Sequence, residues 1–301
     1  MSLIETIDRY IYKLGRKNGY KYAKYIPDYI FIKAKFRTDT KERLNLRNPK
    51  TFNDKLNWLK LHDRKDEYSV MADKVKMKDY VAERIGSEYV IPIIGVYDSV
   101  QDVPFDELPE QFVIKCNHNS NATFICSDKK TFDFDTAKKV LSEKLELNYF
   151  WKGREWPYKN IDRKIIVEKF LCDENGNYPL DYKLFCFNGK MQFFKVDYNR
   201  FTEHRANYYN RNLELQTFGE CNFLPDFSIE FNPPKDFEKM IEIADKLSTG
   251  IPFFRVDFYY INGKIYIGEF TFYPAGGFQL FTENGDRILG DMLVLPKKRR
   301  R

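Results

Sequence analysis

The chain has 301 residues, of which 43% are hydrophobic and 17% aromatic, and this composition excludes an intrinsically disordered protein. Its net charge of +6 is concentrated at the ends, because residues 1–50 hold 13 lysines and arginines against five acids and residues 297–301 are all basic. The body of the chain is therefore acidic on balance, which excludes a generally basic nucleic-acid binder.

The cysteines and histidines indicate which kind of metal the chain would bind. None of the five cysteines belongs to a C-x-x-C pair, and the three histidines lie far apart in the sequence. Buried, reduced thiols of a cytoplasmic protein are the favoured interpretation of the cysteines. Any metal is then expected to be a hard ion held by carboxylates.

The first part of the chain is predicted to be a basic helical segment, residues 1–65. It starts with MSLIETIDRYIYKLG, in which acids interrupt the apolar residues, so we expect neither a signal peptide nor a membrane span and place the protein in the cytoplasm. Basic and aromatic residues alternate over 1–35. This pattern is typical of a helix in peripheral contact with an anionic membrane surface, and equally of a solvated helix face. Residues 296–301 are predicted to be a basic tail.

Two helices and a linker are predicted next. Thr51 caps the helical pattern of TFNDKLNWLKL, and residues 72–85 form a second helix that Gly86 ends. Residues 105–110 are rich in proline and acids, which predicts a linker into the following part of the chain.

Three hairpins then predict the core. FVIKCNHNSNATFICSD holds two apolar runs around a polar loop, and the other two hairpins turn at Asn188-Gly189 and Asn262-Gly263. Hairpins interleaved with helices predict an α+β fold with antiparallel sheets. We predict a first lobe at 66–166 and a second lobe at 167–295.

The last hairpin carries two acids, Asp257 and Glu269, inside apolar strands, where an unpaired charge is costly. Two carboxylates brought together repel each other unless a cation lies between them. Mg²⁺ is the natural candidate, because it needs few protein oxygens and completes its shell with phosphates and water. A structural ion pair between Arg255 and Glu269 is the alternative interpretation.

The register of this hairpin decides whether the two acids share a face, because side chains alternate along a strand. A two-residue turn at Asn262-Gly263 puts Asp257 and Glu269 on opposite faces. A three-residue loop that begins at Ile261 puts them on one face and pairs Arg255 with Glu269. We predict the three-residue loop.

Charged residues in the other apolar strands are consistent with a nucleotide site. Lys115 interrupts a strand, and a nucleotide phosphate would neutralise it. The polar loop that follows, with Asn117 and Ser120, has backbone amides that could close over a triphosphate. An outward-pointing lysine on a half-exposed strand is the alternative.

Two further strands continue the pattern. Glu168 and Lys169 end an apolar strand, where free backbone groups could meet the edge of an adenine. Asp181 and Lys183 open the next strand and lie on one face. Each feature is weak alone, but their order along the chain is much more specific.

That order resembles the ATP-grasp superfamily, including its D-alanine–D-alanine ligase branch. TFNDKLNWLKLHDR, FVIKCNHNSN, GREWPYKN, DYKLFCFNGK and FFRVDFYYINGKIYIGEFTFYPAGG resemble the TupA-like ATP-grasp family, which is found in gene clusters for teichuronopeptide, capsule and other surface polysaccharides. The likeness runs from about residue 45 to residue 290. It implies two lobes with antiparallel sheets that clasp ATP, with Mg²⁺ as the second cofactor.

The resemblance also implies roles for individual residues. The residues expected to bind phosphates are Lys74, Lys115 and Lys183, with Arg255 beside the reacting phosphoryl group. Those expected to bind the nucleoside are Glu168 and the backbone of Lys169 and Leu171 for adenine, and Asp181 for ribose. Those expected to bind Mg²⁺ are Asp257 and Glu269, with Thr271 where ATP-grasp enzymes usually carry asparagine.

The implied reaction is ATP-dependent formation of an amide. A substrate carboxylate attacks the γ-phosphate, and an amine then displaces phosphate from the acylphosphate. The substrates would be a uronic acid or amino acid, free or linked to a nucleotide, lipid or glycan. We expect the acceptor site at Asp197, Arg200, His204 and Arg205, where an arginine pair could grip a carboxylate or a diphosphate; a polar surface loop is the alternative.

Three other functions remain open from the sequence. A sugar kinase would use the same nucleotide site and yield a phosphorylated sugar. A glycosyltransferase would bind a nucleotide sugar instead of ATP, although no typical Asp-x-Asp motif is evident. A non-catalytic binding module is disfavoured, because the whole set of ATP-contacting residue types is present.

Overall fold

The structure, a computed structural model, describes residues 3–120, 123–174, 176, 178–199 and 202–297. Its α-helices are α1 (Leu3–Tyr20), α2 (Asp28–Thr40), α3 (Phe52–His62), α4 (Glu67–Ala72), α5 (Lys76–Ile85), α6 (Phe134–Leu145), α7 (Phe150–Gly153), α8 (Phe237–Ser248) and α9 (Gly285–Met292). Its strands are β1 (Ile93–Tyr97), β2 (Phe112–Cys116), β3 (Thr123–Cys126), β4 (Ile165–Lys169), β5 (Asp181–Phe187), β6 (Lys190–Tyr198), β7 (Arg205–Asn210), β8 (Phe253–Ile261) and β9 (Lys264–Thr271). Residues 298–301 of the predicted basic tail lie outside the described ranges.

Two antiparallel sheets organise the fold. The first has four strands in the order β1-β4-β2-β3, and the second has five in the order β7-β6-β5-β8-β9. Every pair of neighbouring strands in these sheets is antiparallel. The α+β class with antiparallel sheets, predicted from the sequence, is confirmed.

Each sheet has its own hydrophobic core, and the cores differ from the predicted lobes. The predicted boundary between residues 166 and 167 lies inside β4, which pairs along its length in the four-stranded sheet. Helices α3, α4 and α5 bury Phe52, Tyr68 and Met77 in the core of the five-stranded sheet. We therefore propose to place the division after Lys169 and to assign α3 to α5 to the larger core.

The β8–β9 hairpin turns differently from the prediction. Its turn has two residues, Asn262-Gly263, with φ angles of 50° and 70°, so the predicted three-residue loop is wrong. A bulge at Gly268 adds the extra residue that the prediction had placed in the turn. Asp257 therefore lies directly opposite Glu269. The two acids therefore share a face, as predicted. A Cβ at Gly268 would lie 2.7 Å from the ring of Tyr259, which explains the glycine.

The loop after β2 turns inward. Asn117 is fully buried, and its side-chain amide donates to Asp73 Oδ1 and to the carbonyl of Asp162, both at 2.8 Å. Its backbone amide donates to the carbonyl of Lys164 at 3.0 Å, so Asn117 itself lies away from its predicted place over a triphosphate. Neighbouring His118 is 1% exposed, with Nε2 3.0 Å from the carbonyl oxygen of Leu147.

His118 should make the protein less stable in mild acid. Burial lowers its pKa from 6.5 to about 4, so between these pH values the unfolded chain binds a proton that the folded chain does not. The free energy of unfolding should therefore fall as pH decreases from 6.5 to 4, by up to about 3 kcal/mol. Urea unfolding at several pH values measures this slope. His118→Gln should remove it, and an unchanged slope in that variant would contradict the assignment.

Helix α1 exposes part of its apolar side. Leu3, Ile4, Ile7 and Tyr10 each show about half or more of their surface to solvent. No helix in the described ranges is both long and apolar enough to cross a membrane. The peripheral membrane contact of this segment stays a prediction.

Candidate functional site

A cleft of about 400 Å³ lies between the two sheets, within the size range of small-molecule sites. The residues predicted from the sequence that line it are Lys74, Lys115, Ser120, Glu168, Lys169, Leu171, Asp181, Lys183, Asp257 and Glu269. They come from both sheets and from the segments that flank them. The structure thus brings most of the predicted nucleotide site to one place.

On the side of the four-stranded sheet, the carboxylate of Glu168 forms ion pairs with two lysines. Lys78 Nζ lies 2.7 Å from Oε1 and Lys115 Nζ lies 2.5 Å from Oε2. Burial alone would raise the pKa of Glu168, but the two ammonium groups outweigh it and hold the pKa below its usual value. Two lysines share one carboxylate, so this wall carries a net positive charge that suits an anionic ligand. Lys78 was not predicted from the sequence.

On the side of the five-stranded sheet, Lys183 is surrounded by carboxylates. Its Nζ contacts Asp181 and lies 3.2 Å from Asp197 Oδ2 and 3.4 Å from Asp257 Oδ2. Burial would lower the pKa of Lys183, but these carboxylates raise it well above its usual value. Lys183 therefore stays charged at the floor of the cleft.

Arg255 links the two acids of the β8–β9 hairpin. Its Nε and Nη2 donate to the two oxygens of Asp257, both at 2.6 Å, and Nη2 also donates to Thr271 Oγ1 at 3.1 Å. Thr271, and not Glu269, lies opposite Arg255 in the register. Glu269 is more loosely held, 3.5 Å from Lys74 Nζ and 3.6 Å from Arg255 Nη2.

The carboxylates of this hairpin fit a magnesium ion. Burial would raise the pKa of Glu269, but Lys74 and Arg255 outweigh it and lower the pKa to about 2, so the group is an anionic oxygen donor at neutral pH. One third of its side chain is exposed, which leaves it accessible from the cleft. Among the described residues no three His, Cys, Asp or Glu side chains converge as a metal site. Mg²⁺ does not need such a cluster when phosphates and water supply most of its ligands.

The structure does not bring the described residues of the predicted acceptor site to the cleft. Asp197 is buried between Lys183 and Lys195, and His204 Nε2 lies 3.2 Å from Asp197 Oδ1. Arg205 pairs with the exposed Glu203. Neither Asp197, His204 nor Arg205 lines the cleft, and Arg200 lies outside the described residues. These charges neutralise one another instead of facing a ligand.

A second cavity of about 350 Å³ adjoins the cleft and shares Ser120 and Glu269 with it. Arg255 and Thr271 line this cavity and not the cleft. Its other walls carry charged and aromatic side chains that were given no role from the sequence, among them Lys35, Lys152, Glu155, Tyr158, Tyr273 and Phe278. A nucleotide in the cleft would therefore leave the second cavity free for another ligand, beside Arg255.

A comparison with protein families shows which family the chain belongs to. The family described as TupA-like ATPgrasp matches residues 54–294, most of the chain. The chain belongs to the TupA-like ATP-grasp family. The resemblance predicted from the sequence is confirmed, and with it the ATP-grasp fold. Helices α1 and α2 precede the part of the chain that matches this ATP-grasp family.

Comparisons with individual proteins are more distant. No curated protein matches the chain. D-alanine–D-alanine ligase from Helicobacter pylori is 16% identical over 75% of this chain and 62% of that one, with a TM-score of 0.43. The ligase from Bacillus anthracis, complexed with ATP, is 17% identical over 67% and 53%, with a TM-score of 0.40. The chain spans little more than half the length of such structures, and similarity at this level does not identify a substrate.

Proposed function

We propose that this TupA-like ATP-grasp protein is an ATP- and Mg²⁺-dependent carboxylate–amine ligase. The observation that carries the proposal is the cleft, in which Lys74, Lys115 and Lys183 face the paired acids Asp257 and Glu269. Lysines from both walls of the cleft, together with two acids that can bind a metal ion, suit a nucleotide triphosphate with its cation. Family membership supports the same ligand.

The proposed reaction assigns each group of residues a task. Glu168 and the backbone of Lys169 and Leu171 bind adenine, Asp181 binds ribose, and the three lysines bind phosphates. Asp257 and Glu269, with Thr271 nearby, would hold Mg²⁺, which when bound would neutralise charge on the phosphates.

Arg255 lines the second cavity next to Glu269, which the cleft shares, and from there it would face the γ-phosphate. A substrate carboxylate oxygen bonds to the γ-phosphorus and ADP leaves, which gives an acylphosphate. An amine nitrogen then bonds to the acyl carbon, phosphate leaves and a proton is released. The guanidinium stabilises charge on the transferring group.

The proposed substrates are a uronic acid or amino acid and an amine, free or carried on a nucleotide, lipid or glycan. Assembly of a bacterial capsule or other surface polysaccharide is the proposed setting, by resemblance to the family.

The test is ADP release with a panel of uronic acids and amino acids, followed by analysis of the product. A ligase should require both an acid and an amine, and should yield an amide and free phosphate. Hydroxylamine should trap the acylphosphate as a hydroxamate. A phosphorylated sugar without free phosphate would instead establish a kinase, and binding of a nucleotide sugar in place of ATP would favour a glycosyltransferase.

A further inference from the structure

We propose that the second cavity binds a zwitterionic amino acid, with Glu155 receiving its ammonium group and Lys152 its carboxylate. The inference rests on the proposed ligase function, for which it names the class of one substrate. It depends on two charged side chains that line the cavity and have no close partner of their own.

Glu155 is the first of these. It is 7% exposed, and its carboxylate forms no hydrogen bond or ion pair with the described residues. Burial raises its pKa, although Lys60 and Lys152 act in the opposite direction. A buried carboxylate without a hydrogen-bonding partner is costly, so its presence at the wall of a cavity points to a ligand that donates to it.

The surroundings of Glu155 hold it in place. A Cβ on Gly153 would lie 2.6 Å from Glu155 Oε1, and a Cβ on Gly276 would lie 3.3 Å from it. The two glycines therefore leave room for the carboxyl group. Lys60 is fully buried beneath them and donates to the carbonyls of both glycines. Lys60 is thus a positioning residue for this wall, and it lies too far from Glu155 to form an ion pair with it.

Lys152 is the second group, and elimination singles it out among the cations of the cavity. Lys35 pairs with Asp39 at 2.5 Å, and Arg255 pairs with Asp257 and is already assigned to the transferring phosphoryl group. Lys152 has no carboxylate within 4 Å among the described residues, and only the ring of Tyr149 lies close to its Nζ, at 5.0 Å. Its ammonium group is therefore available to a ligand.

The two charges have opposite signs and do not pair with each other. A ligand with one charge would satisfy one of them and leave the other without a partner, whereas a zwitterion satisfies both. The rings of Tyr158 and Phe278 supply apolar walls for the rest of the molecule. Because Arg255 lines the same cavity, an amine held at Glu155 shares one space with the group that faces the reacting phosphate.

The experiment is calorimetric titration of the full chain, with and without MgADP, using the twenty common amino acids, D-alanine, D-glutamate and glucuronate one at a time. Two analogues of alanine are titrated for comparison: lactate, which lacks the ammonium group, and ethylamine, which lacks the carboxylate. We expect at least one amino acid to bind, and its two analogues to bind about tenfold more weakly or worse. Glu155→Gln and Lys152→Met should weaken amino-acid binding by a similar factor while the affinity for MgATP stays within about twofold.

The matched controls are Lys139→Met and Glu143→Gln, which change exposed residues of α6 and should bind amino acids as the parent does. The inference is overturned if no amino acid binds, if glucuronate alone binds through Lys152, or if Glu155→Gln and Lys152→Met both bind as the parent does. Lys152 is partly exposed, so its variant keeps the test valid if Glu155→Gln does not fold. MgATP titration of the same samples decides the nucleotide proposal separately.

Discussion

Asp257→Asn and Glu269→Gln should each lower the rate of ADP release by about a hundredfold to a thousandfold. Both substitutions keep the size of the side chain and remove the negative charge that would bind Mg²⁺. A metal ion contributes several kcal/mol of charge stabilisation to the transition state, and each 1.4 kcal/mol is a factor of ten in rate. The two acids lie directly opposite each other in β8 and β9, so loss of either leaves one carboxylate for the ion.

The measurement is steady-state ADP release at several Mg²⁺ concentrations, on samples checked by thermal melting. The Glu269 variant should require more Mg²⁺ for half-maximal rate. Melting is the necessary check for Asp257→Asn, because that residue also holds Arg255 through two hydrogen bonds. Glu203→Gln, at an exposed carboxylate that does not line the cleft, is the control and should turn over normally. Undiminished turnover in the Asp257 and Glu269 variants would refute the metal assignment.

The shared face of Asp257 and Glu269 was predicted correctly from a wrong loop length. Alternation along a strand requires an odd residue somewhere in this hairpin if both acids are to face one side. The prediction put that residue in the turn, at Ile261, whereas the structure has it at Gly268. A glycine within a strand suggests a bulge, but Gly263 in the turn fits a three-residue loop equally well, so local pattern could not choose between the two positions.

The charged residues of the β6–β7 region show another limit of the sequence. A polar run such as that from Asp197 to Arg205 is compatible with a ligand site and with charges that neutralise one another. The choice depends on Lys183 and Lys195, which the sheet brings to within 3.3 Å of the Asp197 carboxylate. Lys195 shares β6 with Asp197, and the register of the β5–β6 hairpin, which shifts between Phe185 and Cys186, brings Lys183 to the same carboxylate. The sequence predicts this hairpin but not the shift in its register.

The second cavity was missed for the same reason. Lys152 and Glu155 lie in an aromatic segment. From the sequence, this segment served only as evidence of family resemblance, and neither residue was assigned a role. Their cavity forms when this segment meets Lys35 of α2 and the turn that contains Gly276, which are more than 100 residues away along the chain. The sequence does show two opposite charges among bulky aromatic residues, which is unusual. It does not show in which direction these two side chains point.

Asp197→Ala should destabilise the fold without impairing substrate binding, which distinguishes a structural anion from an acceptor site. The carboxylate is 3% exposed and lies 3.2 Å from Lys183 and 3.3 Å from Lys195. Burial would raise the pKa of Asp197, but these two lysines hold it far below its usual value. Its contribution to stability is therefore fully present above the unfolded pKa of about 3.9 and declines as pH falls below that value.

Removing one partner from a buried ion pair costs about 3–5 kcal/mol. We expect the lower end at pH 7, about 3 kcal/mol, because Lys183 keeps Asp181 and Lys195 keeps Glu220 at 3.0 Å. Urea unfolding measures the loss, and a melting temperature lower by roughly 5 °C should accompany it. The remaining folded enzyme should show an unchanged KM for acid and amine, since the side chain reaches neither cavity. A variant as stable as the parent but with a raised KM would restore the acceptor site to β6 and β7.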